Sequence, residues 1–212
     1  MAFIFIHGSG HKVTSWNETL SYMKCKEKIL CPNLSSILNG KEANYNNLYA
    51  SFIDYCNKTD GQINLCGLSL GGVLALNYAL DTPDKVKTLV LIGTPHKISK
   101  LIFNIQNIAF RFLPKSVFEV TAFSKKDMFV FGNSMKKLNF SNISDRLENV
   151  NCPTLIICGE KDRAYIKSAH YFTRNIKNAK LKIIENTGHA VNEENPKVLA
   201  SILDEYYKAW EV

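Results

Sequence analysis

No apolar run in these 212 residues approaches the roughly 18 that a membrane-spanning helix requires. The first six residues, Met1-Ala2-Phe3-Ile4-Phe5-Ile6, carry no basic leader and no small-residue cleavage site, and they read as a strand that begins at once. No C-x-x-C pair occurs, and the histidines and cysteines lack the spacing of metal ligands, so a zinc module is excluded and no metal site is expected. Internal repeats and low-complexity linkers are absent, which excludes solenoids and multidomain arrays. Charged residues are 21% and hydrophobic ones 46%, values that exclude a disordered chain, a collagen-like chain and a coiled coil. What remains is one soluble globular domain. Six cysteines (Cys25, Cys31, Cys56, Cys66, Cys152, Cys158) are expected as free thiols in a cytoplasmic, reducing compartment, because Cys66 and Cys158 sit inside apolar runs where cysteine is a small buried hydrophobe.

Charge is present but uneven. The net charge is +7, from 26 basic and 19 acidic residues. Between residues 97 and 146 nine basic residues face three acidic ones (Glu119, Asp127, Asp145), so nearly all of the excess lies in a quarter of the chain. The same stretch holds eight of the twelve phenylalanines. Two readings fit: a small helical subdomain with solvated lysines, or a cover that attracts an anionic or lipid-like partner. Nucleic acid is disfavoured, since the lysines interleave with Phe at helical spacing and no recognition motif accompanies them.

Outside that stretch, strand and helix patterns alternate. Short apolar runs appear at Phe3–Ile6, Ile29–Cys31, Ile63–Cys66, Val86–Ile92, Thr154–Cys158 and Lys180–Ile184, several of them near-continuous in Val, Ile and Leu, as strands buried on both faces require. Helical patterns lie between them at Tyr45–Tyr55 and Leu70–Leu80. A last helix has Asn195 as its cap, Pro196 in its first turn and a stripe of Val198, Leu199, Ile202 and Leu203. Such alternation predicts a parallel sheet of the α/β class with helices on both sides. The run 101–112 repeats apolar residues at helical spacing and stops before Pro114, so residues 97–146 read as a helical cap inserted within a single domain spanning 1–212.

Four chemical signals fall at four strand ends. Gly67-Leu68-Ser69-Leu70-Gly71-Gly72 is a G-x-S-x-G sequence entered from a strand and left by a helix, a turn that lifts a Ser hydroxyl above a sheet. Taken alone, a Ser cap on a Gly-rich turn describes it as well. His7-Gly8-Ser9-Gly10 ends the first strand in small residues that let backbone N–H groups turn inward, although an ordinary glycine turn has the same composition. Gly159-Glu160-Lys161-Asp162 places acids just past a strand, with Asp162 reaching further out than Glu160. Gly188-His189 follows another strand, in the loop before the last helix. In an open parallel sheet all C-terminal strand ends meet along one edge, where ligands bind. Ser69, Asp162 and His189 at that edge supply the nucleophile, orienter and base of acyl transfer.

These motifs, in this order, resemble the α/β-hydrolase superfamily over nearly the whole chain; Pro83-Asp84-Lys85-Val86 leading into Leu89–Ile92 adds to the likeness. The resemblance implies Ser69 as nucleophile, Asp162 as acid, His189 as base, and the backbone N–H groups of Ser9 and Leu70 as the oxyanion hole. It implies a substrate pocket lined by Gly8, Leu68 and His96, and no cofactor. The chain starts at what looks like the family's third strand, so a sheet of about six strands, all parallel, is expected. An acid-poor insertion disfavours peptidases that grip a free amine. The expected activity is hydrolysis of small apolar carboxylic esters. The alternatives are a thioesterase acting on an anionic carrier and an inactive binding protein on the same scaffold. His7 is expected to support the first turn, Trp16 to pack as core, and His11 and His170 to be surface or packing residues.

Overall fold

A computed structural model describes residues 1–24, 27–97, 123–137 and 143–210. Six strands form one sheet: β1 (Ala2–Ile6), β2 (Lys28–Leu30), β3 (Ile63–Leu68), β4 (Val86–Ile92), β5 (Thr154–Gly159) and β6 (Ala179–Ile184). Their order is β2-β1-β3-β4-β5-β6 and every pairing is parallel. The helices are α1 (Asn17–Tyr22), α2 (Leu34–Ile37), α3 (Tyr45–Asn57), α4 (Leu70–Asp81), α5 (Lys125–Lys137), α6 (Ile166–Asn175), α7 (Val191–Glu194) and α8 (Pro196–Lys208). No helix among the described residues is long and apolar enough to cross a membrane.

The strands read as continuous apolar runs because both faces are covered. Ile4, Ile6, Leu65, Leu89, Leu91 and Ile156 point into one core, shared with α3, α4, α5 and α6. Phe3, Phe5, Cys66, Leu68, Val90, Ile92, Leu155 and Ile157 point into the other, closed by Trp16, Leu199, Leu203, Tyr206 and Tyr207. The period of two along each strand divides its side chains between these layers. Helix α4 lies against β1, β3 and β4, and its residues from Leu70 through Leu80 are all buried, so it carries apolar residues all round rather than on one stripe.

The last helix differs from its expected form in two ways. Val198 is exposed, and the buried stripe is Leu199, Ala200, Leu203, Tyr206 and Tyr207. Asn195 occupies the N-cap position, but its side chain donates to Thr187 Oγ1 at 3.2 Å instead of capping the helix. Among the described cysteines Cys31, Cys56, Cys66, Cys152 and Cys158 are free thiols; Cys25 lies outside the described residues. Of the expected cap at 97–146, residues 125–137 form α5, which packs against α3, while the Phe-rich run 101–112 lies outside the described residues.

The strand order sets where a site can form. From β1 the chain passes to β2 on one side, then returns across β1 to β3 and continues outward in the other direction. A crevice opens at the C-terminal ends of strands where the winding reverses. Here the reversal falls between β1 and β3, the strands that end in His7-Gly8-Ser9-Gly10 and in the Ser69 turn.

Candidate active site

Ser69 joins β3 to α4 with φ 54° and ψ −112°, in the positive-φ region where a non-glycine residue is strained by about 1–3 kcal/mol. Its N–H donates to Ile92 O at 2.8 Å, which ties the turn to the neighbouring strand. The turn can form only where the backbone comes very close. A Cβ on Gly67 would run into the Gly71 backbone, and one on Gly71 would run into the carbonyl of Ile6 on β1. These glycines are therefore required by approach rather than by their own dihedral angles.

The turn after β1 abuts this one: a Cβ built on Gly8 would stand 3.4 Å from Ser69 Cβ. His7 is fully buried and fixes the turn with both ring nitrogens. Nε2 accepts from Leu34 N–H at 3.2 Å, so Nδ1 carries the proton and donates to Gly8 O at 2.8 Å. The His11 N–H reaches the same carbonyl at 3.1 Å. In a trans peptide the C=O and the following N–H point in opposite directions. Holding Gly8 O with two donors therefore aims the Ser9 N–H the other way. Among the described residues neither the Ser9 N–H nor the Leu70 N–H, the first of α4, has a protein acceptor. Burial lowers the His7 pKa to about 4 and keeps the ring neutral.

The other half of the site comes from β5 and β6. His189 Nδ1 donates to Asp162 Oδ2 at 2.7 Å; Asp162 is 5% exposed and His189 is half-buried. Asp162 Oδ1 accepts from Tyr165 N–H at 3.3 Å, and the Tyr165 ring lies 4.8 Å from the imidazole centroid at 35°. A Cβ on Gly93, just past β4, would come within 2.9 Å of the His189 ring, so the imidazole sits over the end of the strand to which Ser69 is tied. Ser69 Oγ makes no hydrogen bond with a described residue. Such hydroxyl–imidazole contacts are commonly long before substrate binds. Glu160, the rival acid, is exposed and accepts from Asn186 N–H at 2.9 Å, away from the histidine.

Three residues expected to line the pocket separate. Gly8 touches the Ser69 turn. Leu68 has no exposed surface and packs into the core beneath the sheet, because strand alternation sends it to the same face as Cys66. His96 is drawn to α6: its Nδ1 lies 2.8 Å from Ser168 Oγ and its ring stacks on Tyr171 at 4.5 Å. His11, expected as a surface or packing residue, is at the site. Its Nδ1 is 3.0 Å from the position of a Gly8 Cβ, and its Nε2 is 3.8 Å from Glu193 Oε2. Desolvation lowers its pKa, with His189 acting in the same direction against Glu193. Tyr165 and Glu194 were not singled out from the sequence. The legible sign of Glu194 was an acid five residues beyond Gly188-His189, at the head of the last helical segment. The described residues hold no group of three or more His, Cys, Asp or Glu placed to hold a metal ion.

The model of the alpha/beta hydrolase family matches residues 3–202. A candidate 2-succinyl-6-hydroxy-2,4-cyclohexadiene-1-carboxylate synthase of Bacillus subtilis is 22% identical over 180 residues, 68% of this chain; the match spans 65% of that protein's length. A pimeloyl-(acyl-carrier protein) methyl ester esterase of Legionella pneumophila is 20% identical, over 98% of this chain and 95% of its own. The solved structure of MenH from S. aureus superposes with a TM-score of 0.81 at 18% identity, covering 100% of this chain and 95% of that one, a likeness of fold.

Proposed function

The chain belongs to the alpha/beta hydrolase family, and from that premise we propose that it hydrolyses carboxylic esters of small apolar acyl groups through Ser69, His189 and Asp162. The observation that carries the proposal is the 2.7 Å bond from His189 to the buried Asp162, over the strand end to which the strained Ser69 turn is tied. Asp162 fixes the tautomer with the proton on Nδ1, which leaves Nε2 as a base. His189 takes the Ser69 hydroxyl proton as Oγ attacks the acyl carbon. The Ser9 and Leu70 N–H groups, which have no protein acceptor among the described residues, stabilise the oxyanion, and the N-terminus of α4 adds its positive end. The imidazolium then protonates the departing alkoxide, leaving an acyl-serine. Water, deprotonated by the same imidazole, attacks that ester and releases the acid with Ser69 restored. The described cysteines Cys31, Cys56, Cys66, Cys152 and Cys158 are free thiols, which suits a reducing, cytoplasmic setting.

The test is p-nitrophenyl butyrate turnover and fluorophosphonate labelling in the parent and in Ser69→Ala. Turnover is expected to fall by about 10⁴-fold or more, because a triad acts as a unit, and labelling to vanish. Unchanged turnover in the variant would remove the proposal.

A second reading has one observation in its favour: nine basic residues against three acidic between 97 and 146 suit an anionic carrier bearing an acyl thioester. Hydrolysis of a coenzyme A thioester that collapses with added salt, while a neutral ester is unaffected, would select it.

A further inference from the structure

The loop that carries His189 is held by a carboxylate that the mechanism above does not use. Glu194, at the end of α7, accepts from Gly188 N–H at 2.6 Å through Oε2 and from Ala190 N–H at 3.1 Å through Oε1. The two amides flank His189 on either side in the chain. Gly188 is shaped to this contact: a Cβ there would stand 2.7 Å from Glu194 Oε1 and push the carboxylate off both donors. Amide bonds to an ionised carboxylate are stronger than neutral ones, and one rigid group accepting both fixes the plane of the loop. Glu194 is solvent-exposed on a four-residue helix, and the nearby buried apolar residues are Val191 of α7 and Leu199 of α8. It therefore adds little to the core, while it constrains the segment whose imidazole must meet Ser69.

We propose that Glu194 is a positioning residue for His189, clamping its two neighbouring backbone amides so that the imidazole is presented to Ser69 with little freedom. The inference rests on the triad reading. The clamp works by geometry: Asp162 fixes the ring at Nδ1, Tyr165 covers one ring face, and Glu194 fixes the backbone from which the ring projects.

The experiment compares Glu194→Gln, Gly188→Ala and Glu193→Gln with the parent, by p-nitrophenyl butyrate kinetics across pH and by thermal unfolding. Glu194→Gln keeps the size of the side chain but presents one acceptor and a donor to two amides. It is expected to lower kcat by about 10- to 100-fold with KM nearly unchanged, as small misplacements of a catalytic group do. Gly188→Ala, which leaves the charge in place but pushes the carboxylate off both donors, is expected to lower kcat similarly. Glu193→Gln removes the charge next to Glu194 in the chain, which bonds neither amide, and is expected to keep kcat within about twofold. A folded Glu194→Gln protein with parental kcat overturns the proposal, as does an equal loss in Glu193→Gln. If Glu194→Gln does not fold, parental kcat in Gly188→Ala overturns it. Fluorophosphonate labelling separates the two levels: an unlabelled parent sinks the triad itself, whereas a Glu194→Gln protein labelled at the parental rate sinks only the clamp.

Discussion

The two halves of the site are built from different materials. On the β1/β3 side the groups proposed to act are backbone N–H groups and one hydroxyl, held by close packing: Gly71 against the Ile6 carbonyl, Gly8 against Ser69, and a neutral His7 bonded to Gly8 O and Leu34 N–H. On the β5/β6 side they are side chains on loops, held by hydrogen bonds to carboxylates: the His189 ring on Asp162, and the backbone amides either side of it, Gly188 and Ala190, on Glu194. Packing leaves no slack for added atoms, while hydrogen bonds leave room but depend on charge and tautomer. The first half should therefore fail by unfolding and the second by losing chemistry in an intact fold.

The sharpest way to break that contrast is Asp162→Asn. The side chain is isosteric and the fold is expected to survive, but an amide donates where Nδ1–H needs an acceptor, which favours the wrong tautomer of His189. A loss of roughly 10⁴-fold in kcat with a circular dichroism spectrum like the parent's is the expected outcome. If Asp162→Asn melts with its activity, the acid–base half is structural in the same sense as the other.

Gly71→Ala probes the opposite half. The added methyl has to enter the backbone of β1 at Ile6, where no flexible side chain can give way, so a destabilisation above about 4 kcal/mol is expected. Gly10→Ala, in the turn after β1 but with nothing within 4 Å of the added methyl, is the control and is expected to cost well under 1 kcal/mol. Urea unfolding of both decides it: equal stability for the two variants would contradict the packing account.

The same contrast explains which parts of the molecule could be read from sequence. Strands were legible because both sheet faces are buried and the apolar runs are continuous, so β4 at Val86–Ile92 was bounded to the residue. Ser69, Asp162 and His189 could be proposed from sequence because each follows a strand in a glycine-marked turn, and the bond from His189 to Asp162 supports that reading. Leu68 was misplaced as a pocket residue because side-chain direction at a strand end depends on pairing register, which composition does not carry, and the contacts of His96 with Ser168 and Tyr171 depend likewise on the helix packed opposite. Val198 read as part of the helical stripe, but the stripe on α8 is rotated toward Tyr206 and Tyr207, whose rings close the second core. Tyr165 was missed for a related reason, since its ring meets His189 on another segment; Glu194 bonds amides four and six residues before it, so local spacing held a sign of it that was not taken up.

The smallest effect concerns His7, and it sharpens the comparison by showing a histidine whose titration acts on stability. In the unfolded chain His7 takes up a proton near pH 6.5; in the folded protein burial resists protonation down to about pH 4. The stability that comes from this mismatch is fully present above pH 6.5 and is lost progressively as pH falls toward 4, since the unfolded state binds the proton first. Between pH 7 and 5 the loss from this one group is roughly 2 kcal/mol. His11, also lowered mainly by desolvation, adds in the same direction. Measured by urea unfolding at the two pH values, the fall is expected to be smaller in His7→Gln, which removes the titrating ring. Substituting Gln is also expected to lower the plateau above pH 7, because its amide cannot meet Gly8 O and Leu34 N–H with the ring's rigid geometry. An unchanged pH dependence in His7→Gln would mean that the proton uptake responsible lies elsewhere, and that His7 holds the oxyanion turn without charging being what limits it.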